Sequence, residues 1–291
     1  MTKPDTLAPA AQAVGPLSAA LPPLPQRAIG IDVGGTGIKG GIVNLRKGKL
    51  TGERFRIPTP QPATPEAVAG VIAEVLDELL SRDKAPSAEE LSVGVTLPGI
   101  VIDNVVLSAA NIDESWLECD TTELLKDFPG RISTLNDADA AGLAEARYGA
   151  GANRPGTIMT VTLGTGVGTA LVHDGVLVPN SELGHLEFEG AKPAEAKVSA
   201  SARERLNMPW PEYGETLRRF LVHVERIQPV SQFIIGGGIS KRSEDFLPFV
   251  TGLRAEVVPA QLTNNAGIVG AALYAAERAR LAAANALGSA E

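Results

Sequence analysis

Cysteine is nearly absent. Cys119 is the one thiol in 291 residues, which excludes an intramolecular disulfide and a thiolate zinc cluster. Histidine is almost as scarce, with His173, His185 and His223 alone. None of them lies near Cys119 in sequence, so a dedicated transition-metal site lacks its usual ligands. No apolar run approaches the roughly 18 residues that span a bilayer. Positive charge is in deficit, with 26 Lys and Arg against 34 Asp and Glu and a net charge of −8. A general nucleic-acid coat, which needs Lys and Arg to neutralise phosphates, is disfavoured. A local basic groove is not, because the field in a cleft is set locally. There is no G-x-S-x-G string, so a hydrolase built on a nucleophile elbow has no support. Residues 1–26 are rich in Pro and Ala and lack a basic start followed by a long apolar stretch. They read as a disordered tail rather than a secretion signal. A cytoplasmic protein with no membrane partner and no nucleic-acid partner is expected.

What is present is apolar and periodic. Hydrophobic residues make up 44% of the chain, ample for a buried core in one or two domains. Ala28 to Val33 reads as a strand, Gly34-Gly35-Thr36-Gly37 as a turn, and Ile38 to Leu45 as a returning strand. Thr64 and Pro65 open a helix as N-cap and first residue. In it Val68, Val71, Ile72, Val75, Leu76, Leu79 and Leu80 keep the i, i+3, i+4 spacing of one buried face. Leu91 to Val95 is then a strand, closed by Pro98-Gly99. A second cycle follows. Ile132 to Leu135 is a strand, Ala138 to Tyr148 a helix and Thr157 to Thr162 a strand. Gly164-Thr165-Gly166-Val167-Gly168 is another glycine turn, and Thr169 to Val172 a strand. A helix over Glu212–Ile227, a strand over Phe233–Ile235, a third turn at Gly236-Gly237-Gly238 and a closing helix from Gly267 complete the chain. Strand, glycine turn and strand occur twice, interleaved with helices. The expected architecture is α/β, with a tail over 1–26, an N-terminal lobe over 27–134 and a C-terminal lobe over 135–266. The closing helix, 267–284, packs back on the first lobe, and a cleft separates the two.

The glycine turns are candidate anion sites, because a residue without Cβ lets backbone N–H groups approach a phosphate closely. In the first, Gly34, Gly35 and Thr36 form the bend, Lys39 supplies a cation, and Asp32 could hold Mg²⁺ through water. A tight hairpin whose glycines only permit positive φ is the plainer alternative. Gly35 to Gly40 also matches the dinucleotide G-x-G-x-x-G string, but Gly41-Ile42-Val43 continues as a strand where that fingerprint opens a helix. The Walker pattern fails as well, for want of its Gly-Lys-Ser/Thr. Gly164, Thr165 and Gly166 make a second candidate loop, and Gly237 and Gly238 a third. Three such turns, each after an apolar strand, suggest one extended phosphate-bearing donor held between lobes. Lys241 and Arg242 follow the third turn, placed either to meet a polyanion or as a solvated pair.

Asn136-Asp137 ends an apolar strand and precedes an Ala-rich helix. That is where α/β sites are built, and also where Asn or Asp caps a helix. Phosphoryl transfer is mainly positioning and charge stabilisation, with a carboxylate taking the proton of the attacking hydroxyl. Asp137 suits that task, with Asn136 beside it for a neighbouring sugar hydroxyl. Glu182-Leu183-Gly184-His185 adds a carboxylate and an imidazole, which bind hydroxyls with direction. A surface charge and a satisfied buried histidine are the alternatives there.

In this order the motifs resemble the ROK sugar kinases of the actin-like ATPase superfamily, over roughly Ala28 to Ala276. The elements that carry the likeness are Asp32-Val33-Gly34-Gly35-Thr36, Pro98-Gly99, Asn136-Asp137, Gly164 to Gly168, Glu182-Leu183-Gly184-His185 and Gly236-Gly237-Gly238. The resemblance implies the two-lobed, ribonuclease H-like fold. It implies Asp137 as the catalytic base, Asn136, Glu182 and His185 on the sugar, and Gly99 lining its pocket. Glu195 is similar to a further sugar-binding Glu, and Asn111, near Trp116, borders the sugar. Many family members carry a cysteine zinc motif after the Gly-His pair; here Gly190 to Ala202 has no Cys, and no zinc is expected. The zinc-free pattern looks like the actinobacterial polyphosphate glucokinase branch. It implies polyphosphate and/or ATP as donor with Mg²⁺, and the 6-hydroxyl of glucose, or of mannose, as acceptor. Homodimers are common in the family. The family also includes repressors, which carry a DNA-binding helix-turn-helix ahead of the sugar lobe. The Pro/Ala-rich residues 1–26 are not expected to form one.

Overall fold

The computed structural model describes residues 21–109 and 112–288. In chain order, β1 (Arg27–Gly34) and β2 (Gly37–Asn44) form a hairpin, followed by β3 (Lys49–Leu50) and β4 (Phe55–Ile57). Then come α1 (Pro65–Leu80), β5 (Ser92–Leu97), β6 (Val101–Ile102), β7 (Val105–Val106), α2 (Thr121–Leu124) and β8 (Arg131–Asn136). The second half runs α3 (Asp137–Tyr148), β9 (Thr157–Leu163), β10 (Val167–His173), β11 (Val176–Val178), α4 (Glu195–Val198), α5 (Ala200–Arg205) and α6 (Trp210–Ile227). It ends with β12 (Gln232–Gly236), α7 (Ser243–Phe246), β13 (Glu256–Pro259) and α8 (Ala266–Gly288).

Two sheets share one plan. The first has the order β3-β2-β1-β5-β8, with β4 also on β2; the second has β11-β10-β9-β12-β13. In each, an antiparallel hairpin turns on glycine, β1 with β2 and β9 with β10, and two parallel strands extend the sheet from the hairpin's first strand. The parallel strands need both faces covered. Accordingly every residue of β5 is buried, and the strand runs two residues past its expected end at Val95, to Leu97.

Helix α1 forms for local reasons. Thr64 accepts a hydrogen bond from the Ala67 N–H, and Pro65 sits in the first turn, where its missing N–H costs nothing. Its buried stripe, Val68, Ile72, Val75, Leu76 and Leu79, packs on the first sheet with Ile31, Ile38 and Ile42. Each such side chain contributes about 1.5–3 kcal/mol. Helix α6 starts at Trp210, two residues before the expected Glu212, because Pro211 is tolerated in a first turn.

Helices α3 and α8 join the halves. Helix α8 lies on β1, β2, β5 and α3, with Ile268, Val269, Ala272 and Leu273 against Ala28, Val43 and Leu143. The approach is so close that a Cβ on Gly94 would stand 1.9 Å from the Ala271 carbonyl oxygen, and one on Gly270 would stand 1.7 Å from that of Ala140. Helix α3 in turn packs on β9 and β10. Residues 1–20 of the expected tail lie outside the described residues. Residues 21–26 form neither helix nor strand; Leu24 packs on the α8 cluster, and the Gln26 carbonyl accepts from the Leu45 N–H at 3.1 Å. Among the described residues, no helix is long and apolar enough to cross a membrane.

Candidate active site

Strand β8 ends at Asn136, and the chain turns at once into α3. The turn is set by Asn136 as N-cap: its Oδ1 accepts from the Ala138 and Asp139 N–H groups, at 2.8 and 3.1 Å. Its Nδ2 donates to the Gly99 carbonyl at 3.0 Å, tying the strand end to the Pro98-Gly99 bend. Capping therefore falls to Asn136 and leaves the next side chain, Asp137, at the cleft floor. A cleft of about 520 Å³ surrounds it, lined by Gly34, Gly35 and Thr36 from one sheet and by Gly164 to Gly168 from the other. Gly99, Asn136, Glu182, His185, Glu195 and Gly237 share the same lining. A second hollow of about 230 Å³ also contains Asp137, together with Asp32, Lys39, Gly237 and Gly238.

Asp137 is reachable by solvent but ringed by protein. Burial raises its carboxyl to about 6, with the Asp32 and Glu182 charges adding to the rise and the Ala138 N–H opposing it. A carboxylate near neutrality, aimed into a cleft, can accept a proton from a bound hydroxyl. Asp32 lies two residues before the end of β1 and is held by Thr96, whose hydroxyl donates to Oδ1 at 3.0 Å and accepts from the Val33 N–H at 3.2 Å. Lys39 stands opposite Asp32 in the hairpin register, with Nζ 3.5 Å from Oδ2, so its charge is shared with that carboxylate. A cation not foreseen stands at the same turn: Arg56 donates to the Thr36 carbonyl at 2.7 Å.

On the opposite wall, Glu182 precedes a 3₁₀ turn, 183–185, anchored by the Leu183 N–H on the Thr169 hydroxyl at 3.0 Å. Burial raises the Glu182 carboxyl, and His185 works against that rise. His185 Nδ1 is 3.6 Å from Glu182 Oε2, and its ring is half exposed. The two are paired in the cleft, and His185 is not a core residue. Glu195 opens α4 and accepts from the Val167 N–H at 3.1 Å, which places its carboxylate on the second glycine turn.

The third turn emerges from β12. Gly237 has φ +83°, and a Cβ there would stand 2.3 Å from the Leu163 carbonyl oxygen, so the bend rests on the end of β9. Gly238 begins a 3₁₀ turn that runs to Arg242, with Lys241 exposed on it and outside the lining of either hollow. Asn111 lies outside the described residues. Trp116, its landmark in the sequence, is buried in the first lobe, where its Nε1 donates to the Ala63 carbonyl at 2.9 Å.

Two further polar residues were not foreseen. Asp139, in the first turn of α3, is buried, and its Oδ2 accepts from the Asn180 N–H at 2.8 Å. Asn180 in turn grips Val101: its Oδ1 accepts from the Val101 N–H at 3.2 Å and its Nδ2 donates to the Val101 carbonyl at 3.0 Å. This strap joins α3, the segment leading to Glu182 and the β6–β7 hairpin. The one available signal was a second acid two residues after Asp137.

The residues fit a hard cation by type, because Asp32 and Asp137 bring oxygen donors to the cleft where phosphate would lie. Among the described residues no group of three or more His, Cys, Asp or Glu could hold a metal unaided.

Comparison with known proteins bears on the family and the fold. The model of the ROK family matches residues 28–199. A polyphosphate glucokinase of Mycobacterium tuberculosis (strain H37Rv) is 47% identical over 246 residues, covering 84% of this chain and 89% of that one. The crystal structure of an inorganic polyphosphate/ATP-glucomannokinase from Arthrobacter sp. strain KM is 58% identical and superposes with a TM-score of 0.81, covering 87% of this chain and 100% of the other. A ROK family glucokinase from Streptomyces griseus, solved with glucose and AMPPNP, shares the fold at 24% identity, with a TM-score of 0.71 and 86% and 99% coverage.

Proposed function

The chain belongs to the ROK family, and from that premise we propose how its cleft transfers phosphate. The protein is a glucokinase that draws on polyphosphate and ATP, a transferase with an alcohol acceptor. The 6-hydroxyl of glucose lies against Asp137, whose carboxylate takes its proton. The freed oxygen attacks the terminal phosphorus of the donor. The bridging P–O bond breaks, and the donor leaves shorter by one phosphate.

Asn136, Glu182, His185 and Glu195 hold the remaining sugar hydroxyls, and Gly99 lets the sugar approach the backbone. Carboxylates and an imidazole suit hydroxyls, which both donate and accept. The N–H groups of the turns at Gly34-Gly35-Thr36 and Gly164-Thr165-Gly166 receive the donor phosphates, with Gly237 and Gly238 beyond them. Asp32 would hold Mg²⁺ through water, and the ion would supply charge to offset the donor phosphates. Mannose is a second acceptor, in line with the name of the glucomannokinase relative. A homodimer acting in the cytoplasm completes the reading.

The observation that carries it is the shared gap: Asp137 stands where the first and second glycine turns face one another. The test crosses two acceptors with two donors. Glucose 6-phosphate is expected from glucose with long-chain polyphosphate in the absence of ATP, and also with ATP. Product with ATP alone would reduce the protein to an ATP-dependent hexose kinase.

A further inference from the structure

Donor phosphates in the second and third glycine turns leave the cleft beside two segments that the reaction does not use. Helix α5 is tied to the second turn, because the Ser201 N–H donates to the Gly164 carbonyl at 3.2 Å. The 3₁₀ turn Gly238–Arg242 continues directly from the third. Strands β9 and β12, which deliver these turns, are parallel neighbours, so both segments start from the same edge of the sheet. Each carries an arginine to one indole. Arg203 Cζ lies 3.5 Å from the Trp210 ring centroid and Arg242 Cζ 5.1 Å from it.

Trp210 is fixed in place. Its ring stacks on Phe246 at 6.0 Å and meets Tyr213 edge-on at 6.3 Å, and the Tyr213 hydroxyl donates to the Val198 carbonyl at 2.9 Å. A guanidinium laid on a fixed indole is preorganised, with its N–H edge directed in its own plane, the geometry that matches phosphate.

The charge at this place is unbalanced. Elsewhere, Arg82, Arg154, Arg218 and Arg219 each have a carboxylate partner. Arg203 has no carboxylate within ion-pair distance among the described residues, and its buried Nε makes no hydrogen bond. Arg242 shares Asp245 at 2.5 Å, and Lys241 beside it has no ion pair among the described residues. Two guanidinium groups over one ring repel each other, and Asp245 alone offsets one of the three charges. In a chain of net charge −8, such a cluster is a local attractor for anions.

We propose that Arg203 and Arg242 over Trp210, with Lys241, form an outer subsite that holds the distal phosphates of a polyphosphate chain. The inference rests on the glucokinase reading above and extends its donor site. A nucleotide donor carries its nucleoside where a polyphosphate continues with charge, so the subsite rewards length in a polyanion and gives ATP nothing comparable.

The test measures KM and kcat at saturating glucose for long-chain polyphosphate, tripolyphosphate and ATP, in the wild type and in R203Q/R242Q. Loss of two charge-assisted contacts should raise KM for long-chain polyphosphate about tenfold or more. KM for ATP and for tripolyphosphate should stay within about twofold, and added salt should shrink the gap between wild type and variant. R242E, on a side chain 61% exposed, is the second variant should the double one not fold, and it should raise the same KM. No change for polyphosphate, or an equal rise for every donor, overturns the subsite. A rise confined to ATP assigns the indole to the nucleobase instead. A wild type that ignores polyphosphate sinks the donor reading itself, a different failure.

Discussion

The two glycine hairpins share one topology and differ in what surrounds the bend. At β1–β2 the bend is flanked by cations: Lys39 is shared with Asp32, and Arg56 donates to the Thr36 carbonyl. At β9–β10 no Lys or Arg hydrogen-bonds to the bend among the described residues, and an acid does, with Glu195 bonded to the Val167 N–H. A duplicated scaffold has thus been divided between chemistries. Backbone N–H groups serve anions at either bend, and the side chains decide which part of the substrate pair each wall meets. The cationic side chains at the first bend suit the donor, and the acid at the second suits a neutral sugar rich in hydroxyls, while the backbone of both bends stays open to phosphate.

The largest effect is expected where the walls meet. Asp137→Asn should lower kcat by about 10²–10⁴-fold, the range for loss of a general base. Circular dichroism should match wild type and thermal unfolding should come no earlier, since Asn keeps the shape and removes a charge that burial disfavours. A variant within tenfold of wild type removes Asp137 from the base role. The next effect is on pH. The base works deprotonated, so kcat/KM should fall about tenfold per pH unit below about 6 and level off above it. Asp32→Asn removes the neighbouring negative charge that raises Asp137, so this acid limb should move to lower pH. A limb fixed at its wild-type position would show that the Asp32 charge does not act on Asp137.

Much of this was legible in the sequence because it depends on local rules. Thr64-Pro65 marks a helix start, and the two glycine bends mark hairpins, wherever they occur. The candidate site residues Asp137, Glu182, His185 and Glu195 stood at strand ends and in polar strings, and the fold brings all four to one cleft. What was not legible depends on contacts far apart in the chain. Thr96 meets Asp32 across 64 residues, and Asn180 meets Val101 across 79. Arg203 reads as one more charge in a polar helix until Trp210 is placed beneath it. Trp116 joins the first core through apolar neighbours distant in sequence, which no local pattern announced.

The division of labour between the bends gives a smaller pair of effects. Glu195→Gln should raise KM for glucose several-fold and leave KM for the donor within about twofold, because Gln still accepts from the Val167 N–H while binding hydroxyls less strongly. Lys39→Met should do the reverse, raising KM for the donor and sparing the sugar. Steady-state kinetics with each substrate varied in turn decide it. If both variants move the same KM, the walls are not specialised.

The smallest effect on turnover is expected at Asp139, where the lobes are strapped together. Its Oδ2 holds the Asn180 N–H, but Oδ1 is buried without a partner among the described residues. Burial, with help from Glu182 and Asp137, raises its carboxyl from 3.8 to about 7. A carboxyl raised by folding is neutral in both states at low pH and imposes no cost there. As pH climbs from about 4 to about 7, the unfolded chain ionises while the folded one resists, and stability is lost until the folded carboxyl also ionises. Asp139→Asn keeps an oxygen for the Asn180 N–H and removes the charge. Its Tm should match wild type near pH 4 and exceed it by at least about 2 °C near pH 8, with kcat changed less than about threefold. A Tm below wild type at pH 8 would show that the carboxylate is stabilised in the folded protein, and that the strap between the lobes depends on its charge.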